Sequence, residues 1–345
     1  MMSDVNVNTT TPPPPGVNSL ALLATKANNK HIRQFVDVDA VAGAFAGCIS
    51  RLVVQPLDVI KIRLQVQVES SMTSQKYSSA RQAFSSIIRE EGLKGLWRGT
   101  VPAQMLSIPY CAVQFATLRV VRDVCANLKV DETKNKQLIS FGSGAAAGVV
   151  ATFASYPFDY LRTVLAAQGE PAVFRTTWDA ALHTLETRGI RGLYAGVAPT
   201  FLEIVPYAAL QFGVYDLLRE RWDSLQISGN QATKSFVCGL AAGILAKAAT
   251  HPLDVLKKRY QVAGLPRSLR YGRRVSQNVS RLSLVQYAAT MYRHEGIRGF
   301  YRGLNPSLLK AAPSAAVTLT AFELARAALV SAGFGNQSGP TSHRL

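Results

Sequence analysis

Long apolar stretches, each interrupted by a few charged residues, run from about residue 37 to residue 331. Their lengths predict six long helices, over residues 37–66, 100–127, 136–168, 197–226, 232–263 and 304–331. Each odd-numbered helix is followed by a loop that carries a short amphipathic segment. Because Asp58, Asp159 and Lys247 interrupt the windows of about 18 residues around them, a simple hydropathy rule for spanning helices fails for several segments.

A motif repeated three times organises these helices. Pro56, Pro157 and Pro252 lie 101 and 95 residues apart, and each begins the pattern Pro-x-Asp-x-x-(Lys or Arg). A pair of glycines four residues apart precedes each proline: Gly43 and Gly47, Gly144 and Gly148, Gly239 and Gly243. Such pairs let helices approach closely in lipid. The repetition predicts one structural unit built three times.

Charged residues follow one face of the predicted odd helices. The two matching stripes, at offsets 0, 7, 10 and 14, are Arg51, Asp58, Lys61 and Gln65, and Lys247, Asp254, Lys257 and Gln261. A charge facing acyl chains costs roughly 2.5–3.5 kcal/mol or more. The stripes are therefore expected to face one another around a polar lumen, which at membrane depth is a path for a solute.

The composition favours a membrane protein and disfavours other classes. Charged residues make up 17% of the 345 residues, against roughly 25% in a typical soluble domain. The net charge of +17 suits anionic lipid or nucleic acid, but the basic run from Arg267 to Arg281 lacks a recognition module, so no nucleic-acid partner is expected. The four cysteines form no disulfide or zinc pattern. No catalytic set, Walker loop or metal cluster is visible, so we expect no enzyme activity, cofactor or metal; a soluble helical-repeat scaffold is the alternative class.

The pattern also predicts the domain boundaries. Residues 1–34, with their proline run, are predicted to be a disordered arm, and residues 333–345 a tail. The three repeats are expected at residues 35–131, 132–229 and 230–332.

The triplicated motif, followed by glycine and an aromatic-basic-glycine stretch, resembles the signature of the mitochondrial carrier family over residues 37–331. The resemblance implies an all-α membrane protein with six transmembrane helices in a threefold pseudosymmetric bundle and three short matrix helices. It further implies a monomeric, multi-pass carrier of the mitochondrial inner membrane that works by alternating access.

The resemblance implies a gate at each side of the membrane. At the matrix gate, Asp58 would pair with Arg162, Asp159 with Lys257, and Asp254 with Lys61, while Gln65 and Gln261 would brace two of the pairs. Ala166 replaces the third brace and Val164 replaces a basic residue, which predicts one weaker side. The cytoplasmic gate would consist of Arg122, Asp216, Arg219, Glu323 and Arg326. Because Arg119 stands where an acid belongs, we expect this outer gate to be weak and the outward-open state to be favoured without ligand.

Above the matrix gate, the resemblance and the residue types point to a set of substrate-binding residues: Arg51, Ser107, Thr152, Glu203, Ile204, Lys247 and Lys310. A diphosphate needs converging cations, which Arg51, Lys247 and Lys310 would supply. Three alternatives stay open. Arg51 and Lys247 could extend to a membrane interface, Lys310 could point at a neighbouring helix, and Glu203 could form an intramembrane ion pair.

Two further expectations concern lipid and substrate. The stretches Trp97-Arg98-Gly99 and Tyr301-Arg302-Gly303 resemble the family's cardiolipin-binding element, although interfacial anchoring would also explain their aromatic residues. The amino-acid sequences of the three copies most resemble those of family members that carry thiamine pyrophosphate, notably over residues 161–171, 256–262 and 306–312. The resemblance thus implies that substrate, exchanged for nucleotides, with another nucleotide or a coenzyme A-type molecule as the alternative.

Overall fold

The structure, a computed structural model, describes residues 17–68, 76–127, 132–225, 230–266, 275, 279 and 282–332. Within these ranges the chain is helical and contains no β-strand. The helices are α1 (Val17–Val66), α2 (Ala80–Glu91), a 3₁₀ helix (Leu93–Trp97), α3 (Thr100–Met105), α4 (Ser107–Asn127), α5 (Glu132–Ala167), α6 (Thr177–Leu193), α7 (Val197–Ser224), α8 (Gln231–Val262), α9 (Leu284–Phe300), α10 (Leu304–Leu309) and α11 (Ala311–Ser331).

The predicted second and sixth long helices are each divided in two. The divisions fall at Leu106, between α3 and α4, and at Lys310, between α10 and α11. Pro109 and Pro313 follow three residues later, and a proline offers no N–H to the carbonyl group four residues before it. Both dividing residues keep right-handed helical φ and ψ angles, so the helical path continues across them.

Helix α1 begins at Val17, twenty residues before the start expected for the first long helix, so the helix includes the segment 17–36. After the proline run and Gly16, this segment is rich in leucine and alanine, which favour helix, and the composition of the whole arm hid that local preference. Residues 1–16 and the expected tail at 333–345 lie outside the described residues.

The chain divides into two compact units. In the unit Met1–Ile49 with Val317–Leu345, small side chains are buried on α1 (Ala42, Ala46) and on α11 (Ala321, Ala325). In the unit Ser50–Ala316, the main apolar core joins the C-terminal halves of α1 and α8 and the last turn of α5 to α2 and α9. A second cluster joins α5 to α6.

Large apolar side chains cover much of the outer surface of the long helices. Phe115, Val205 and Phe236 are each more than 60% exposed. Three segments of the described chain are long and apolar enough to cross a membrane, Val41–Val66, Val197–Ser224 and Thr233–Val262. Exposed apolar surface on this scale favours contact with lipid.

The close helix contacts predicted at the Gly-x-x-x-Gly pairs are not made within the unit Ser50–Ala316. A Cβ atom added to any of the four glycines of repeats two and three would meet nothing within 4 Å: Gly144, Gly148, Gly239 and Gly243. The close contacts are made instead by glycines at positions 99, 196 and 303, directly before the starts of α3, α7 and α10. A spacing that permits close packing therefore does not show where in the chain it occurs.

Candidate functional site

Three ion pairs join the C-terminal halves of α1, α5 and α8. The pairs are Asp58 with Arg162, Asp159 Oδ2 with Lys257 Nζ at 3.0 Å, and Asp254 Oδ2 with Lys61 Nζ at 2.7 Å. They link α1 to α5, α5 to α8 and α8 to α1, which is the cyclic order that the family resemblance implied. All six side chains are at most 20% exposed. The sequence order of the motifs thus forms a closed ring of charges in space.

The residue before each motif proline anchors the long helix to the end of its own repeat. Gln55 Nε2 donates to the carbonyl oxygen of Arg98 at 3.1 Å, Tyr156 Oη to that of Ala195 at 3.0 Å, and His251 Nε2 to that of Arg302 at 3.0 Å. An amide, a phenol and an imidazole thus make the same contact. The contact to Arg302 gives His251 a structural role.

Glycines at 99, 196 and 303 allow the next repeat to approach. Each begins a helix with φ between +77° and +83°, a conformation that glycine adopts without strain. An added Cβ would lie 2.7 Å from the carbonyl oxygen of Arg162 at Gly99, and 3.0 Å from those of Lys257 at Gly196 and Lys61 at Gly303. Each of these carbonyl groups belongs to a basic residue of the ion-pair ring, so the glycines set the spacing of the ring.

Two of the expected substrate-binding lysines also contact carboxylates of the ring. Lys310 Nζ lies 2.7 and 2.9 Å from the two oxygens of Asp58. Lys247 Nζ lies 3.0 Å from Asp254 and 2.9 Å from Glu203. The intramembrane ion pair considered for Glu203 is therefore present, and its partner is Lys247.

Each carboxylate of the ring has a further polar neighbour. Gln261 Nε2 donates to Asp159 at 3.0 Å, and Gln65 Nε2 lies 3.4 Å from Asp254. Ala166, buried at the third brace position, cannot donate, and Lys310 bonds to Asp58 instead. The side of the ring expected to be weaker is thus supplied with an additional cation from outside the motif.

Lys258 is a buried neighbour of the ring that the sequence reasoning missed. Its Nζ lies 3.6 Å from Asp159 and donates to Thr163 Oγ1 at 2.8 Å and to Gln261 Oε1 at 3.1 Å. The signal in the sequence was the doublet with Lys257, because the other repeats have Ile62 and Thr163 at this position.

A cavity of about 360 Å³ lies above the Asp159–Lys257 pair and includes part of the expected binding set. Thr152, Glu203 and Ile204 line it. The volume is within the roughly 300–1,000 Å³ usual for small-molecule sites. The sequence reasoning missed its aromatic lining, which comes from Tyr110, Tyr156 and Tyr207.

The other expected binding residues do not line this cavity. Arg51 donates to the carbonyl oxygen of Ala103, and Ser107 is partly buried at the start of α4. Lys247 and Lys310 reach the carboxylates described above. Thr152, which does line the cavity, donates its hydroxyl hydrogen bond within its own helix, to the carbonyl oxygen of Gly148 at 2.7 Å.

Basic groups outnumber acidic groups among these contacts. Six basic side chains contact four carboxylates: Lys61, Arg162, Lys247, Lys257, Lys258 and Lys310, against Asp58, Asp159, Asp254 and Glu203. Such an excess of positive charge favours an anionic ligand.

The expected cytoplasmic-gate residues lie on α4, α7 and α11. Asp216, Arg219, Glu323 and Arg326 lie on α7 and α11, and the side chain of Arg122 on α4 lies outside the described residues. Their pairing stays a prediction.

The stretches expected to bind cardiolipin make several protein contacts. Trp97 Nε1 donates to the carbonyl oxygen of Leu52 at 2.9 Å, and Arg98 contacts Glu91 and Glu170. Beside Trp97, Arg98 and Gly99 is a cavity of about 630 Å³, which Arg175 and Trp178 also line. In repeat three, Arg302 contacts Glu295 at 3.2 Å, while Tyr301 and Gly303 flank it.

The threefold ring coincides with a threefold match to a known family. The family model described as mitochondrial carrier protein matches residues 35–128, 133–224 and 228–333. The chain belongs to the mitochondrial carrier family. Like other mitochondrial carriers it is an all-α, multi-pass protein of the mitochondrial inner membrane, and it is a transporter rather than an enzyme.

Similar curated proteins have names that specify a substrate. The chain is 46% identical to mitochondrial thiamine diphosphate carrier 1 of Arabidopsis thaliana, over 84% of this chain and 92% of the relative. It is 39% identical to the mitochondrial thiamine pyrophosphate carrier of Bos taurus, over 87% and 94%. It is 40% identical to mitochondrial thiamine pyrophosphate carrier 1 of Neurospora crassa, over 82% and 89%.

Proposed function

We propose that this mitochondrial carrier moves thiamine pyrophosphate across the inner membrane by alternating access, in exchange for nucleotides. The observation that carries the proposal is the cation-rich ring below the cavity, in which Lys247 and Lys310 are held by carboxylates that a diphosphate can replace. The names of the similar carriers from three organisms support the same substrate.

The diphosphate competes with the ring for its cations. Phosphate oxygens accept strong charge-assisted hydrogen bonds from ammonium and guanidinium groups. When Lys310 turns to the substrate, Asp58 keeps Arg162 but loses one cation, and when Lys247 turns, Asp254 keeps Lys61. Substrate binding thereby removes two additional lysine contacts that hold carboxylates of the matrix gate, which favours opening toward the matrix.

The organic part of the substrate would occupy the cavity. Once Lys247 has moved to the diphosphate, Glu203 can accept from the aminopyrimidine or balance the thiazolium charge. The rings of Tyr110 and Tyr207 offer faces on which an aromatic cation can stack. Arg51, on the preceding part of α1, would supply the third cation for the diphosphate.

The remaining parts of the proposal concern the lipid and the outer gate. Cardiolipin would bind beside Trp97, Arg98 and Gly99, where the larger cavity and Arg175 support an anionic lipid, and at the corresponding residues of repeat three. The carrier would act as a monomer with no nucleic-acid partner. The cytoplasmic gate would be weak because of Arg119.

Uptake into liposomes tests the substrate. The purified protein is reconstituted with internal nucleotide, and uptake of labelled thiamine pyrophosphate, thiamine, ADP and coenzyme A is compared. We expect thiamine pyrophosphate to be taken up and thiamine to be excluded. Uptake of ADP or coenzyme A without thiamine pyrophosphate would favour the alternative substrates and overturn the proposal.

Lysine variants test the binding site. Lys247→Ala and Lys310→Ala should each lower uptake at least tenfold, since a charge-assisted bond contributes about 1.5–3 kcal/mol. The matched control is Lys94→Ala, at an exposed lysine on the 3₁₀ helix, which should leave uptake unchanged. Full uptake by both ring variants would contradict their assigned role.

A further inference from the structure

A buried arginine in repeat one ties three helix ends together. Arg63 on α1 donates through Nε to the carbonyl oxygen of Ala166 at 3.1 Å and through Nη2 to that of Gln168 at 2.8 Å, at the end of α5. The same guanidinium pairs with Glu91 on α2. It therefore joins its own long helix to the end of the next one and to the short helix of its repeat.

Repeat three has the same clamp. Arg259 on α8 donates to the carbonyl oxygens of Gln65 and Gln67, both at 3.0 Å, and pairs with Glu295 on α9 at 2.6 and 2.8 Å. Burial raises the pKa of the neighbouring Tyr287 hydroxyl, although Arg259 lowers it, so this hydroxyl stays protonated at neutral pH. The end of α1 is thus held by α8, as the end of α5 is held by α1.

Repeat two differs at three positions that belong together. The clamp arginine is replaced by Val164, the acid of the short helix by Arg188, and the base before the last glycine by Ala195. In the other repeats the acid contacts both of these bases. An arginine in place of the acid would face two like charges if those bases were kept, and Val164 and Ala195 remove both.

Arg188 nevertheless reaches the carbonyl group that a clamp arginine would reach. It donates to the carbonyl oxygen of Ala263, the residue directly after α8. Ala263 lies nine residues after its motif aspartate, as Gln67 and Gln168 do in the other repeats. The end of α8 is therefore held from α6 rather than from α5.

In each repeat, a glycine lies four residues after the acid of the short helix or after Arg188, and it allows either residue type to occupy that position. A Cβ at Gly95 or Gly299 would lie 2.6 or 2.8 Å from the Cβ of the preceding glutamate. At Gly192 it would lie 2.5 Å from the Cβ of Arg188 and 3.3 Å from its Cδ. The three repeats thus fold the side chain back over a glycine in the same way, whether that side chain is acidic or basic.

We infer that Arg188 is a positioning residue of the matrix gate, which replaces the missing clamp of repeat two by holding the end of α8 and with it Lys257. Less than two turns before Ala263, Lys257 makes the ring contact with Asp159, and Gln261 braces it. Without Arg188, the end of α8 loses its contact with the short helix of repeat two and is held to this repeat only through α5, so the Asp159–Lys257 pair opens more readily. The inference rests on the proposed gate role of the ring, but not on the identity of the substrate.

A charge-exchange series tests the clamp. The variants are Arg188→Glu, Val164→Arg and the two combined, with Arg191→Ala, an exposed arginine on the same helix, as the matched control. The double variant restores the clamp arginine and the acid of the other repeats, while Ala195 stays in place of the second base. We expect each single variant to lower the melting temperature and the exchange rate. The double variant should restore much of both, because the introduced arginine and the introduced glutamate can pair with each other as Arg63 and Glu91 do.

Labelling from the matrix side separates positioning from simple stabilisation. In a background without native cysteines, Ser155→Cys places a reporter in the cavity, and an impermeant maleimide is added to the matrix side without substrate. Arg188→Ala should raise the labelling rate about tenfold, as expected for loss of a charged hydrogen bond that holds the gate. The Arg191→Ala control should leave the rate unchanged.

Two results would overturn the inference. One is a double variant no better than the worse single variant; the other is Arg188→Ala with a lower melting temperature but unchanged labelling, which would leave Arg188 a purely structural role. Both measurements are made without thiamine pyrophosphate, so a failure of the proposed substrate is distinguishable from a failure of the clamp.

Discussion

Two sets of glycines on the three repeats differ in how they are used. At Gly99, Gly196 and Gly303 an added Cβ would lie 2.7–3.0 Å from a carbonyl oxygen of the next long helix. At the pairs of repeats two and three, residues 144 and 148 and residues 239 and 243, an added Cβ would meet nothing within 4 Å. In the unit Ser50–Ala316, tight backbone packing therefore lies at the ion-pair ring rather than at the Gly-x-x-x-Gly pairs.

The difference teaches that a glycine motif gives a capacity for contact, while the conformation decides whether the contact is made. Under the alternating access proposed above, glycines that pack when one side of the carrier is closed make no contact while the other side is closed. The ring is formed in this structure, so we expect the Gly-x-x-x-Gly pairs to make their contacts when the ring is broken.

The largest expected effect is at the contact glycines. In Gly99→Ala, the positive φ and the overlap with the carbonyl group of Arg162 together should destabilise the protein by roughly 3 kcal/mol. Thermal unfolding of the purified carrier should show a melting temperature lower by roughly 5 °C or more, and exchange should be lost. Gly142→Ala, at an exposed helical glycine with open space around it, should not be destabilised. Equal melting temperatures would break the comparison.

A smaller effect, on transport alone, is expected at the Gly-x-x-x-Gly pairs of repeats two and three, which make no close contact within the unit Ser50–Ala316. At Gly148 an added Cβ would meet nothing within 4 Å, so for Gly148→Leu we expect the melting temperature to change by less than about 2 °C. If the pair must pack in the other state, exchange should fall at least tenfold, since overpacking a contact costs about 1–3 kcal/mol. Gly142→Leu, on the same helix but outside the pair, is the control and should transport normally. Normal transport by Gly148→Leu would assign the pair no contact in the cycle.

The smallest effect is expected at the outer side. Arg119→Glu places an acid where the family has one and removes the repulsion expected with Arg219, so it should shift the ligand-free population toward the inward-open state, by a factor of about 2–5 for roughly 0.5–1 kcal/mol. The matrix-side labelling assay measures this shift. An unchanged labelling rate would show that the outer network does not limit the population.

The ion-pair partners could be predicted because the repeated motif resembles that of a known family. Alignment of Pro56, Pro157 and Pro252 gave the equivalent positions, and the resemblance implied the partners, among them Asp58 and Arg162, which the structure pairs. All-α architecture and the six long apolar segments followed from the same periodicity. The family match then extends to almost the whole repeated region.

Contacts outside the motif could not be predicted in this way. The pairing of Lys310 with Asp58 joins residues from the first and last repeats, and no period in the sequence relates them. The reach of Arg188 to Ala263 depends on how a side chain folds over Gly192, which spacing does not specify. The early start of α1 was missed because a few prolines dominated the composition of a segment that is otherwise helix-forming.

The anchor before each motif proline has a consequence for how the repeats can diverge. Gln55, Tyr156 and His251 differ in size, aromaticity and acid–base chemistry, yet each donates one hydrogen bond to one carbonyl group. Different residue types can therefore occupy this position as long as each has a hydrogen-bond donor of suitable reach. A comparison of the three copies that looks only for identical residues would miss this shared contact.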